Sequence, residues 1–243
     1  MGPTSSEIET TGTIDSMLTQ YGTSHQTYYQ LNLKPELSLR YKSFRGSVIF
    51  PLSTGITSNT SCCRFSVGNL SMEGEFKTLH ESYSWWVGGS VSAPTASIFD
   101  AKGLTTNVAA TVAITDDAGF FLSRTTTLRA NAGADLQLHP LVVVGGEVGL
   151  HRWIRSLDNP DQTLIPITVF ARISHTAKID SSLAFKSIAN LDAPSETWLH
   201  QTAARVSYRW NANTLSTGIE IPLDRSLRDL GMVRGGVSFS RSY

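Results

Sequence analysis

The segment WLHQTAARVSYRW, Trp198 to Trp210, alternates between two kinds of side chain almost without fault. Its odd positions, Leu199, Gln201, Ala203, Arg205, Ser207 and Arg209, are mostly polar or small. The even positions between the tryptophans, Thr202, Ala204, Val206 and Tyr208, carry no charge. YQLNLKPELSLRY, Tyr29 to Tyr41, repeats the design at the same spacing, with Leu31, Leu33, Leu37 and Leu39 opposed to Gln30, Asn32, Lys34, Glu36 and Arg40. A period of two is the signature of an extended strand with unlike faces. Twelve steps of about 3.3 Å, inclined about 45°, set each aromatic pair roughly 28 Å apart along a membrane normal. Aromatic girdles flank an apolar band about 25 Å tall in membrane barrels. The expected fold is all-β, an antiparallel up-and-down transmembrane β-barrel.

The composition agrees. Charged residues make up 16% of 243, and mean hydropathy is −0.08. No stretch approaches the roughly 18 apolar residues of a membrane helix. Few charges without long apolar runs suit strands that show hydrocarbon one face and water the other. The formal net charge is zero, so nothing drives the chain toward nucleic acid. Cys62 and Cys63 are adjacent, a spacing that suits neither a mutual disulfide nor a metal. No cofactor or metal ligand set is expected.

Residues 1–24 are polar, rich in Thr and Ser, and are read as a flexible N-terminal segment, with 25–243 as the barrel. Met1 to Ser6 lack the basic and apolar regions of an export peptide, so the sequence is read as a mature form. Strand signals then recur at about 28–42, 44–53, 60–70, 83–98, 105–115, 121–138, 141–154, 163–174, 178–189, 197–210, 214–223 and 232–243. That is about twelve strands, within a range of ten to fourteen. The fourth opens on Tyr83, Trp85 and Trp86, as a girdle would. Tight connections after the sixth, eighth and tenth strands alternate with longer ones after the third, seventh and ninth, the longer ones assigned to the outer surface. The interface aromatics are Tyr29, Tyr41, Trp85, Trp198, Trp210 and the terminal Tyr243.

At this point the chain resembles the Gram-negative outer-membrane β-barrel superfamily over about residues 28–243. Val233, Gly235, Val237, Phe239 and Tyr243 stand at alternate positions of the last strand, like the terminal strand of that superfamily, with Arg241 the departure from its pattern. The resemblance implies an outer-membrane location among lipid and lipopolysaccharide, and recognition of the strand ending at Tyr243 by the barrel-assembly machinery.

A barrel of about twelve strands has a lumen wider than packed side chains fill. The face expected to line it carries Lys34, Arg40, Arg129, Arg172, Arg205 and Arg209, with Lys186 and Arg234, against Glu147 and Glu220, with Glu36 and Asp135. Basic rings favour anions, so the leading expectation is passive diffusion of small anionic solutes. Folding the strands about Ala212-Asn213 sets Arg205 opposite Glu220 as a structural pair. Arg209, Arg172 and Arg129 have no evident partner and are the expected solute contacts. A non-conducting barrel for adhesion, anchoring or partner assembly is the second reading, with Leu157 to Asp161, Ala193 to Glu196 and the Glu73 to Ser82 loop as its working surface.

Hydrolysis is the third. His200 and Thr202 share an outward face, but threonine replaces a nucleophilic serine poorly; His175 and Ser174 face opposite ways. His80-Glu81 and Asp116-Asp117 read as loop residues. Glu147 and His151 share an inward face about 13 Å apart, too far for one metal. Gly145-Gly146 and Gly235-Gly236 lack phosphate-loop spacing and are read as relief of crowding where a barrel curves or as flat surface for a neighbouring side chain.

Overall fold

In the computed structural model, the described residues are 8–23, 26–57, 60–96, 120, 122, 124–155, 161–192, 198–224 and 232–243. They form β1 (Ile8–Thr23), β2 (Gln26–Tyr41), β3 (Phe44–Ile49), β4 (Leu52–Thr57), β5 (Thr60–Val67), β6 (Ser71–Leu79), β7 (Tyr83–Ser92), β8 (Thr125–His139), β9 (Val142–Arg155), β10 (Gln162–Ser174), β11 (Ile179–Asn190), β12 (Trp198–Trp210), β13 (Asn213–Pro222) and β14 (Val233–Ser242). Both β3 and β4 pair with β2, so they are one strand interrupted at Phe50-Pro51. Likewise β6 and β5 pair with β3 and β4 and are interrupted at 68–70. Taken so, twelve antiparallel strands follow one another round a ring that β1 closes against both β14 and β2. Closure leaves no ring edge unpaired, which is what a bilayer core demands of a sheet.

The interruption has a chemical cause. Pro35 and Pro51 lack an N–H and cannot donate to the ladder where they meet. Phe50 N instead donates to Pro35 O (2.9 Å), and Gly68 N to Pro51 O (2.7 Å).

Several boundaries differ from the expected ones. Residues 8–23 are a strand, not a flexible lead. The outward positions of β1 include Thr10, Gly12 and Ser16 beside Ile8, Ile14 and Leu18, so its two faces contrast weakly. The 71–82 stretch is mostly strand β6, whose inward Glu73, Glu75 and Lys77 imitate a solvated loop. Ser53-Thr54-Gly55, whose composition suits a turn, belongs to β4. The 105–115 signal and Asp116-Asp117 lie outside the described residues; β7 pairs directly with β8 and the ring closes without them. The strand count matches because β1 takes the place of that signal.

Polarity is inverted relative to a soluble domain. Buried hydrophobics among the described residues are few: Ile49, Trp86, Ala96, Phe120, Leu164, Ile188, Ala189 and Met232. Leu18, Leu37, Val87, Leu150, Leu183 and Val237 lie on the outside, each about half exposed. The accessible surface is 13918 Å², against about 10,700 Å² for a compact chain of this mass, the excess expected of a hollow body. Apolar residues covering an outer wall need hydrocarbon around them.

The longer connections, between β7 and β8, β9 and β10, β11 and β12, and β13 and β14, share one end of the barrel, where β1–β2 and β4–β5 are also joined by two residues each. β2–β3, β6–β7, β8–β9, β10–β11 and β12–β13 turn within four residues or fewer at the end that holds both β1's start and Tyr243. His80-Glu81 is at that short-turn end, not among the longer connections. Tyr41, Trp85, Trp210 and Tyr243 are there too, Trp85 and Trp210 within aromatic runs Phe44–Phe76–Trp85 (centroids 5.0 and 5.5 Å) and Tyr208–Trp210–Phe239 (5.6 and 6.2 Å). Tyr29 and Trp198 are at the other end. The Arg241 guanidinium lies 5.2 Å from the Tyr243 ring, a way to hold a cation beside an interface.

Candidate functional site

Register assigns each side chain to the inner or outer face. Opposed inward pairs run Asp15–Lys34, Glu220–Ala203, Arg205–Ser182, Arg172–Val143, Glu147–Gly133 and Arg129–Ser90. Lys34, Arg40, Arg129, Arg172, Arg205, Arg209, Glu147 and Glu220 all stand on the inward face. Their partners differ from the expected ones. The β12–β13 turn is Asn211-Ala212, with Asn211 at φ 51°, a left-handed conformation that asparagine tolerates. This shifts the register by two residues: Arg205 faces Gly218, and Glu220 pairs instead with Arg234 at 2.8 Å. Arg209, expected to be free for solute, holds Asp180 at 2.6 Å.

The charges divide between two walls. One, from β3 through β6 to β9, carries Glu73, Glu75, Asp135 and Glu147 with Arg45, Lys77 and Arg129. The 73–79 acids and Lys77 were missed because their strand was read as a loop. Trp86, read as a girdle residue, points inward here. Its Nε1 donates to Glu147 Oε2 (3.1 Å), and Lys77 Nζ sits 5.2 Å from its ring. Ser84 Oγ donates to Asp135 Oδ1 (2.7 Å), and Arg45 pairs with Glu36 at 2.5 Å. Glu147 is therefore held by an indole.

The other wall, from β10 to β14 and on through β1 and β2, carries Arg172, Lys186, Arg205, Arg209, Arg234, Lys34 and Arg40, against Glu9, Asp15, Glu36, Asp180 and Glu220. A cavity of about 390 Å³ opens along it, with Lys34, Lys186, Arg205 and Arg234 in its lining and a floor of Ala184, Ala203, Gly218 and Gly236. Small residues keep this wall from filling the space. Arg40, Arg172 and Arg205 are exposed, with no carboxylate within ion-pair distance among the described residues. A smaller cavity of about 180 Å³ lies against the mixed wall, between Arg45, Glu73, Arg129, Glu147 and His151.

Glycines serve as seats for aromatics, as expected of Gly145: a Cβ there would meet Phe170 Cζ at 2.5 Å, and one on Gly133 would meet Trp86 Cζ2 at 2.3 Å. On the outer face, Ser187 Oγ lies 2.8 Å from His200 Nδ1. The sequence reading paired His200 with Thr202, its strand neighbour, because a cross-strand partner depends on register. Phe185 and Trp198 stack near the His200 ring at 5.8 and 6.4 Å.

No protein-family model matches the chain, and neither does any curated protein. Solved structures do match in fold. An outer membrane channel from Pseudomonas putida F1 superposes at a TM-score of 0.70, 12% identical, over 100% of both chains. The NanC porin gives 0.57 at 9% identity, covering 94% of this chain and 98% of its own. The translocator domain of the autotransporter NalP from Neisseria meningitidis gives 0.53 at 6% identity, covering 97% and 88%. The chain shares its fold with these solved outer-membrane β-barrels.

Proposed function

We propose that this barrel is a channel in the outer membrane of a Gram-negative bacterium, for passive diffusion of small hydrophilic solutes with a preference for anions. The observation that carries the reading is the cavity along the basic wall, where Lys34, Lys186, Arg205 and Arg234 outnumber Asp15 and Glu220 over a floor of alanine and glycine. Cations fixed along a water-filled path favour anionic passage. Channels and porins among the solved structures of this fold support the general role. On the same reading, Tyr29 and Trp198 lie toward the outer leaflet, Tyr41, Trp85, Trp210 and Tyr243 toward the periplasm, and β14 is the strand offered to the assembly machinery.

Stepwise, anion-selective conductance in a planar bilayer is the expected result. The double variant R172E/R205E should lower the anion-to-cation permeability ratio by about threefold or more, whereas Arg209, tied to Asp180, should matter less. Silence at high protein load would remove the channel reading and leave a non-conducting anchor.

A second reading is favoured by the Ser187–His200 pair. A serine hydroxyl hydrogen-bonded to an imidazole is the minimal nucleophile and base, and this one faces hydrocarbon beside Trp198. The assay is fatty-acid release from phospholipid in mixed micelles, lost by at least about a hundredfold in Ser187→Ala and His200→Ala. Release that survives both substitutions, or none from the parent, discards it.

A further inference from the structure

We propose that Phe120, positioned by Asn69, is an aromatic cover inside the barrel that controls access of solute to Arg129 and Lys34. As a statement about permeation it rests on the channel reading; as a statement about access it does not.

The ring lies 4.3 Å from Arg129 Cζ on β8 and 5.7 Å from Lys34 Nζ on β2. Between β2 and β8 in the barrel wall stand β3, β6 and β7. A ring that reaches both cations therefore spans a chord of the lumen rather than lying flat on one wall. Phe120 is only 3% exposed, so water does not surround it there. The electron-rich faces of a phenyl ring attract cations, and a cation occupied by a ring face is less available to a passing anion.

Asn69 explains why Phe120 stays. It occupies the interruption between β5 and β6 and is wholly buried. Its backbone N donates to Phe120 O (2.6 Å). Its Nδ2 donates to Leu122 O (2.8 Å) and to Thr125 O (3.3 Å), and its Oδ1 accepts from Ala96 N (3.0 Å). One carboxamide thus fastens the two ends of the β7–β8 connection to the break in the wall. Thr95 reinforces it: its Oγ1 accepts from Leu70 N and donates to Gly68 O, both at 2.8 Å. A buried amide used at donor and acceptor alike is a specific positioning device, because no aliphatic residue reproduces both functions.

The burial pattern agrees. Inward Ser71, Ser92 and Thr127, next to Arg129's level on the same wall, are at most 3% exposed. Arg172 and Arg205, far from Phe120 round the ring, are open.

The test uses the full chain with Cys62 and Cys63 replaced by serine and a single thiol introduced by Arg129→Cys. The rate of modification by a small anionic methanethiosulfonate is measured with Phe120 present, with Phe120→Ala, and with Asn69→Ala. Each variant is first checked for the gel shift of a folded barrel. Both alanine variants should label at least tenfold faster, and Phe120→Trp should not. In parallel, Phe120→Ala with Arg129 intact should raise single-channel conductance by half or more and strengthen anion preference. Labelling indifferent to residue 120 overturns the proposal, and so does faster labelling with unchanged conductance in a conducting parent. Faster labelling when neither parent nor variant conducts sinks the channel reading but upholds the cover. If Asn69→Ala alone fails the gel-shift check, the Phe120→Ala comparison decides the cover, and labelling in Asn69→Asp, which keeps the acceptor and loses the donor, decides the positioning.

Discussion

A chain lacking residues 1–23 will not form a closed barrel. β1 is paired along its length on both sides, from Thr11–Ser242 to Gln20–Val233 with β14 and from Ile8–Tyr41 to Thr23–Gln26 with β2. Removing it strips partners from two strands at once. In hydrocarbon each unsatisfied backbone group costs several kcal/mol, so an open eleven-strand sheet has to collapse, re-pair β2 with β14 in a foreign register, or aggregate through its edges. The expected outcome is loss of the heat-dependent gel shift and of protease resistance. Removal of residues 1–7 alone should leave both intact. The C-terminus feels the same loss, because Tyr243 N donates to Thr10 O (2.8 Å). A heat-modifiable barrel from the shortened chain would show that β1 is dispensable and that the flexible-lead reading of 1–24 was right.

The second large effect is expected at Gly133. It lies opposite Glu147 on β9 and beneath the Trp86 indole, and a Cβ would stand 2.3 and 2.5 Å from ring atoms and 2.8 Å from Gly146 O. Valine there must push the indole off its seat, breaking the hydrogen bond to Glu147 and the stack under Lys77. Overpacking costs about 1–3 kcal/mol, and the lost bond to a carboxylate about 1.5–3 more, so Gly133→Val should lose roughly 3 kcal/mol in reversible unfolding from lipid vesicles. Trp86→Ala should recover part of this: the double variant should fall short of the sum of the single costs by at least about 1 kcal/mol. Strict additivity would mean that the two side chains do not meet.

How much of this was legible beforehand differs by element. β2 and β12 announced themselves, since one face of each is bounded by aromatics and free of acidic residues, lysine and arginine, while the other holds the arginines and most of the polar residues. β8 to β11, β13 and β14 followed for the same reason. β1 did not, because threonine, serine and glycine on its outer face blur the contrast. β6 did not, because Glu73, Glu75 and Lys77 look solvated, and they are, by a lumen. Trp86 was misread because two adjacent tryptophans cannot both face lipid in an extended chain, and composition does not say which one turns inward. The candidate site was legible as a set of inward residues and illegible as a set of contacts.

The division has a single physical origin. Alternation is local: successive side chains of an extended backbone point to opposite faces. The chain's own letters therefore assigned most lipid-facing and enclosed residues and the antiparallel barrel, while the strand number came out right only because the unread β1 replaces the 105–115 signal. Neighbourhood is not local. Whether Glu220 meets Arg205 or Arg234 depends on one turn at Asn211-Ala212, where a two-residue slip preserves every face and exchanges every partner. The closure by β1, the Asn69 clamp and the place of Phe120 between two walls depend likewise on segments far apart in sequence, and only the assembled ring brings them together.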